Sequence, residues 1–361
     1  MRKKVLLLIA ILSSIVYMNA ENTTADKLIN RLKKVEKQGE IIFGHHDDPV
    51  YGHSWVGDIG RSDIKDILGD YPGIMNWDLG GIELDHKANL DGVDFNRMKK
   101  EILAQYKRGG INTFSWHLHN PVTREDSWKV GPKDIVSASV TPGTVANDTL
   151  IAWVDKIANF INSLKDEKGD KIPVIFRPWH EHNGSWFWWG KDLCSVEDYK
   201  KLWKITRERF NENGVNNVVW AYSPNIVKDE ADYTERYPGD EYADILGADV
   251  YQFNGEAGLK DYKNALNTAL SIATKLAKEK NKLVAFTETG SESIPMQNWW
   301  TEVLLPEMSK YPIVYVTVWR NAHDNPKHFF APYPGQKSEK SFIEFSKNKK
   351  ILFTKGLFKI K

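Results

Sequence analysis

The chain has 361 residues, a single cysteine and a formal charge of +1 from 49 basic and 48 acidic side chains. That balance excludes the basic footprint of a nucleic-acid binder or of a protein held on an anionic membrane surface. One cysteine, Cys194, excludes an internal disulfide framework, so the fold has to hold by burial alone, which a chain this long can supply.

The first twenty residues, MRKKVLLLIAILSSIVYMNA, have a basic start, an apolar run too short to span a bilayer comfortably, and a small-residue end at Ala20. This is the pattern of a secretory signal peptide. Cleavage would leave 21–361 as one domain with a charge of about −2, and with no cysteine near the cleavage site to carry a lipid anchor. Eight short apolar runs follow, at 41–44, 74–77, 112–116, 174–177, 218–221, 245–250, 284–287 and 313–319. Helical patterns separate them. In TLIAWVDKIANFINSL, Ile151, Val154, Ile157, Ile161 and Leu164 recur at three- and four-residue spacing. SVEDYKKLWKITRERF opens with Ser195 and Asp198 in a capping arrangement, and DYKNALNTALSIATKLAKEKN runs into the seventh strand. There is no linker, no internal repeat and no change of composition. Eight strands alternating with helices predict a single-domain (β/α)₈ TIM barrel. An open doubly wound sheet fits less well, because GHHDDP follows the first strand where a glycine-rich phosphate loop would stand.

Catalytic groups of such barrels sit at the C-terminal ends of the strands. There the chain places His117 and His119 after the third strand, and His180 and Glu181 after the fourth. Tyr251 follows the sixth, Glu288 the seventh, and Trp319 and Arg320 the eighth. Two glutamates on the fourth and seventh strands can face each other across the mouth, and paired carboxylates are what glycoside hydrolysis requires. The run PVIFRPWHEHNGSWFWWG ends in four aromatic residues among 14 tryptophans in the chain. Indole faces stack on the C–H faces of sugar rings. Trp186 and Trp319 read as such faces, whereas Trp188 and Trp189 read equally well as core packing.

FRPWHEHNGSWFWWG resembles the acid/base motif of glycoside hydrolase family 26, a family of retaining (β/α)₈ enzymes whose type activity is endo-β-1,4-mannanase. GHHDDPVYG, INTFSWHLHNP, YPGDEYADILGADVYQ, AFTETG and VTVWRNA resemble further family blocks, in family order over most of the chain. The resemblance implies Glu181 as acid/base and Glu288 as nucleophile, with Tyr251 hydrogen-bonded to the nucleophile. It implies His117, His180, Trp186, Trp319 and Arg320 as substrate contacts. It departs from many relatives at His182, where they carry methionine. The implied substrate is β-mannan or manno-oligosaccharide, cleaved internally or with release of mannobiose, by a monomer without metal or other cofactor. β-1,3-Xylan and mixed-linkage β-glucan stand as alternatives within the family.

Two readings from other classes compete. The H-x-H pairs His117/His119 and His180/His182 share a strand face if the backbone stays extended, and could hold zinc in a metal-dependent barrel hydrolase. A sugar-binding barrel without catalysis would need the aromatic floor but not both glutamates. Asn183-Gly184-Ser185 is a glycosylation sequon inside the proposed site, which favours a bacterial exporter, with the protein in the periplasm or the medium.

Overall fold

The computed structural model describes residues 23–360. The leader expected over 1–20 lies outside the described residues. Eight parallel strands close on themselves: β1 Ile41–His46, β2 Ile74–Asp78, β3 Ile111–Ser115, β4 Val174–Arg177, β5 Val218–Tyr222, β6 Ile245–Gln252, β7 Leu283–Ser291 and β8 Ile313–Val318. Each pairs with the next, and β8 returns to β1 with Ile42 opposite Tyr315 and His45 opposite Val318. The chain is thus the (β/α)₈ barrel that the alternation predicts. A short parallel strand, Ile351–Leu352, adds itself outside β1.

Alternation within the strands sorts side chains into two layers. Ile42, Ile74, Ile175, Val219, Ile245 and Val314 form one apolar cluster inside the barrel. Phe43, Met75, Phe114, Phe176, Trp220 and Phe286 point outward into a larger cluster shared with the helices. The predicted helices are present as Val145–Asn162, Val196–Glu212 and Leu259–Lys280, and the side chain of Ser195 accepts the N–H of Asp198 as an N-cap.

The helix before β1 has no counterpart in the sequence reading. The helix Thr24–Gln38 opens with a complete capping box between Thr23 and Asp26, and buries Leu28, Leu32 and Val35 in the inner cluster. It therefore closes the N-terminal end of the barrel. Arg31 ties it down by donating to the carbonyls of Ile360, Gly109 and Leu357. With that end closed, the C-terminal mouth is where a cleft can open. Among the described residues no helix is long and apolar enough to cross a membrane.

Candidate active site

A cleft of about 460 Å³ occupies the C-terminal mouth. Side chains from β3 and β4 (His117, His180, Glu181), from β6 and β7 (Tyr251, Glu288) and from beyond β8 (Trp319) line it together with Trp186. Seven of the eight residues singled out in the sequence converge here. Arg320 does not line the cleft: its Nε lies 3.0 Å from Oδ1 of Asp91.

The two glutamates arrive by different routes. Glu288 lies inside β7 rather than after it, because β6 and β7 pair all the way from Ile245↔Leu283 to Gln252↔Ser291. A register shift passes Thr287 over between Ala248↔Phe286 and Asp249↔Glu288, and such a bulge re-aims the next side chain. Glu288 is 95% buried. Arg177, two residues after the inward-facing Ile175, points into the top of the barrel and pairs with Oε1 of Glu288. Its other nitrogen is 2.7 Å from Oδ2 of Asp249. Tyr251 Oη donates to Glu288 Oε2 at 2.7 Å. Burial works against charge on Arg177, but Asp249 and Glu288 outweigh it and raise its pKa, so the guanidinium stays positive beneath Glu288. Asp249 is fastened further by Thr287 Oγ1 at 2.6 Å and Ser223 Oγ at 3.0 Å.

Glu181 sits beyond the end of β4 with φ 53°, and Trp179 before it has φ 56°. Left-handed backbone at bulky residues is uncommon and clusters at functional sites. Here it is held by the bond from Glu181 N–H to the carbonyl of Ser223 (2.9 Å). The carboxylate accepts from Asn225 Nδ2 at Oε1 and from Trp186 Nε1 at Oε2, both at 2.9 Å. Enclosure by protein and then the negative charge of Glu288 push its pKa up to about 7, against the pull of Asn225, Arg177 and Trp186. Asn225 is set by a clasp between loops. Its N–H donates to Asn183 Oδ1 at 2.7 Å, while Asn183 Nδ2 donates to the Ile226 carbonyl at 2.8 Å.

An oxygen from each of Glu181, Asp249 and Glu288 lies within 4.8 Å of the other two. His46, Asp47 and Asp91 come equally close. Both groups are of metal-ligand type, but each already has an arginine against a carboxylate: Arg177 in the first and Arg320 in the second.

His180 and His182 do not share a face, because Glu181 between them is left-handed, and His117 and His119 turn to different carboxylates. His117 Nδ1 is 2.7 Å from Asp78 Oδ2, and His119 Nδ1 is 2.8 Å from Glu83. His180 Nε2 is 3.2 Å from His117 Nε2. His182 is fully buried behind the cleft, with its ring centroid 4.6 Å from that of Tyr199 and 5.0 Å from that of Tyr222. Burial opposes charge on His117, but Asp78 outweighs it and raises the pKa. Burial likewise opposes charge on Asp78, and His117 outweighs that, leaving the carboxyl at about 2. Burial, reinforced by the charges of Arg177 and His117, lowers the pKa of His180, which is neutral. A zinc site built on two H-x-H pairs has no geometric basis here.

The aromatic run divides as well. Trp186 is 40% exposed and lines the cleft. Trp188 and Trp189 are fully buried and donate to the carbonyls of Leu118 and His180. They are scaffold. Trp319 stacks on His46 at 4.2 Å. The sequence reading missed Trp128 and Phe253, 48% and 67% exposed on the cleft wall, Asn225 on the same wall, and Arg177, Asp249 and Asp78 beneath it. Arg177 and Asp249 carried a signal: each is a charge inside an apolar strand.

Two carboxylates opposed at the mouth of a closed (β/α)₈ barrel, between exposed indole faces, are the arrangement that a sugar-cleaving barrel hydrolase requires. The profile of Glycosyl hydrolase family 26 matches residues 16–330, and the chain belongs to that family. It is 32% identical over 283 residues to a mannan endo-1,4-beta-mannosidase of Bifidobacterium adolescentis, covering 74% of this chain and 27% of that protein. The chain thus spans about a quarter of the length of that relative. A mannan endo-1,4-beta-mannosidase of Bacillus subtilis is 30% identical, with 75% of this chain and 72% of the relative covered. The structure of a GH26 beta-mannanase from Bacteroides ovatus superposes with a TM-score of 0.89 at 48% identity, covering 93% of this chain and 97% of that one.

Proposed function

We propose that the protein is a β-mannanase that cleaves β-1,4-mannosidic bonds of mannan, galactomannan or manno-oligosaccharides by double displacement. The names of its relatives supply the substrate class. The observation that carries the mechanism is the approach of Glu181 and Glu288 oxygens to within 4.8 Å. Retaining glycosidases hold their carboxyl groups about 5–5.5 Å apart, whereas inverting ones leave about 6.5–9.5 Å for a water.

In the first step a Glu288 oxygen forms a bond to the anomeric carbon as the glycosidic C–O bond breaks. Glu181 gives its proton to the departing oxygen. In the second, Glu181 takes a proton from water, the water oxygen attacks the same carbon, and Glu288 leaves as carboxylate. Arg177 and the Tyr251 hydroxyl each hold one oxygen of Glu288 and so fix the orientation of its side chain. A pKa near 7 lets Glu181 serve as acid and then as base at neutral pH. Trp186 and Trp319 offer stacking faces, and His117 and His180 present ring nitrogens to the sugar hydroxyls. The signal-like start of the chain favours work outside the cytoplasm.

The test is NMR of the first product from unbranched mannan, with β-1,3-xylan and mixed-linkage β-glucan as rival substrates. β-Configured reducing sugar from mannan is expected, with no need of added metal. α-Configured product sinks the mechanism. Preference for either rival polymer sinks the substrate, and activity lost to a chelator and restored by zinc sinks the class.

A further inference from the structure

We infer that Asn225, at the end of β5, is a positioning residue for Glu181: its amide fixes the carboxylate in the cleft and sets the pH at which Glu181 gives up its proton. The inference rests on the acid/base reading of Glu181. Three observations carry it. Asn225 Nδ2 donates to Glu181 Oε1 at 2.9 Å, and Trp186 Nε1 donates to Oε2 at 2.9 Å. Both partners are donors only toward Glu181, so the pair fits the ionised carboxylate and offers the acid's own proton no acceptor. That acceptor is left to the substrate's glycosidic oxygen.

The two donors are unequal. Trp186 is 40% exposed and shares the loop of Glu181, so it moves with that loop. Asn225 comes from a different strand end and is locked from both sides. Its N–H donates to Asn183 Oδ1 at 2.7 Å, and its Oδ1 accepts the N–H of Ile226 at 2.7 Å. The side chain therefore has one orientation, with Nδ2 aimed at Glu181.

The charged and titratable groups facing Glu181 come from the barrel side: Arg177 on β4, Asp249 and Tyr251 on β6, and Glu288 on β7. Among them only Arg177 favours the carboxylate, and it is committed to Asp249 and Glu288. Asn225 is the neutral counterweight on the open side.

The experiment compares pH profiles of kcat/KM on mannotetraose for the unmodified enzyme, Asn225→Ala, Asn225→Asp and Glu181→Ala. Removing a donor destabilises the carboxylate, so the alkaline limb should move up by about one pH unit in Asn225→Ala. Asn225→Asp keeps the acceptor that Ile226 needs but sets a second carboxylate against Glu181, and should move the limb further up. It also keeps the test valid if Asn225→Ala folds poorly. KM should change less than twofold while kcat falls, and a dinitrophenyl mannobioside should show a burst as water attack loses its oriented base. A turn-forming role alone predicts that the Asn225→Asp profile overlays that of the unmodified enzyme, and that result overturns the inference. In Glu181→Ala the limb should be gone. If it persists there, the acid/base reading is what has failed, and the role of Asn225 falls with it.

Discussion

Glu181 and Glu288 are the same side chain in one cleft, and their surroundings give them opposite work. Glu288 is deep in the barrel, on a strand, with an arginine on one oxygen and a tyrosine hydroxyl on the other. Glu181 is on a turn above it, with two neutral N–H donors and no cation of its own. The first is fixed in orientation by these two bonds, as the proposed nucleophile has to be. The second, enclosed by protein and then facing the charge of Glu288, keeps its proton to about pH 7. One residue type is thus suited to the two proposed roles by where each copy sits.

Removing each glutamate tests this contrast most severely. Glu288→Ala should lose activity by on the order of 10⁴-fold or more, even on a substrate with a phenolate leaving group. Glu181→Ala should keep the first step on such a substrate, show a burst, and give a β-glycosyl azide when azide is added. Equal loss in both variants, with no burst in Glu181→Ala, would erase the difference between them. Next comes the arginine. Arg177→Met strands Asp249 and Glu288 as unpaired buried carboxylates and should destabilise the protein by roughly 3–5 kcal/mol in denaturant titration. Unchanged stability would mean that the two acids do not depend on it.

Tyr251→Phe removes one hydrogen bond to a charged group and should cost about 1.5–3 kcal/mol in kcat/KM, or roughly 10- to 150-fold, without unfolding. Kinetics like those of the unmodified enzyme would reduce Tyr251 to packing. The smallest effect is on stability. Glu181 holds its proton in the folded state to about pH 7, whereas the unfolded chain gives it up in the ordinary carboxylate range. The folded state therefore binds more protons between those limits, and stability falls as pH rises through that window. Glu181→Gln should remove this loss, stabilising the protein by roughly 1–2 kcal/mol at pH 8 after solvent screening, and by nothing near pH 3. The same ionisation should cut the activity of the unmodified enzyme about fivefold between pH 7 and pH 8. A flat profile there would place the proton elsewhere.

The barrel and both glutamates were legible in the sequence because they depend on local signals: apolar runs, helical spacing, and an acid where a strand runs out. What was not legible depends on contacts between distant segments. Asp78 is 39 residues from His117, and the two meet only because β2 and β3 pair with Asp78 opposite Ser115. Asn225 reads as an ordinary turn residue until Asn183 is brought beside it. The expectation that His180 and His182 share a face failed for a backbone reason. Alternation holds only while the chain is extended, and Glu181 between them is left-handed. The helix Thr24–Gln38 carries a clear capping box, but nothing local shows that it seals a barrel. Trp186 and Trp189 differ in fate although both are indoles in one short run, because only the fold decides which of them meets solvent.

The clasp between Asn183 and the loop after β5 bears on how the protein can be made. Asn183 heads an Asn-Gly-Ser sequon, and its Nδ2 is the atom to which a glycan would be joined. In a host that glycosylates its secretory proteins, the transferase meets the chain before folding, when that amide is free. A glycan there would put a bulky sugar where the Ile226 carbonyl now accepts an N–H, and would pry apart the two loops that set Glu181. Material from yeast should be heavier and nearly inactive, while bacterial material is neither. Asn183 itself cannot be replaced without breaking the clasp. Ser185 can: its hydroxyl bonds only Asp192, at the surface. A Ser185→Ala gene would free the yeast product of its glycan at the cost of two exposed hydrogen bonds, both to Asp192.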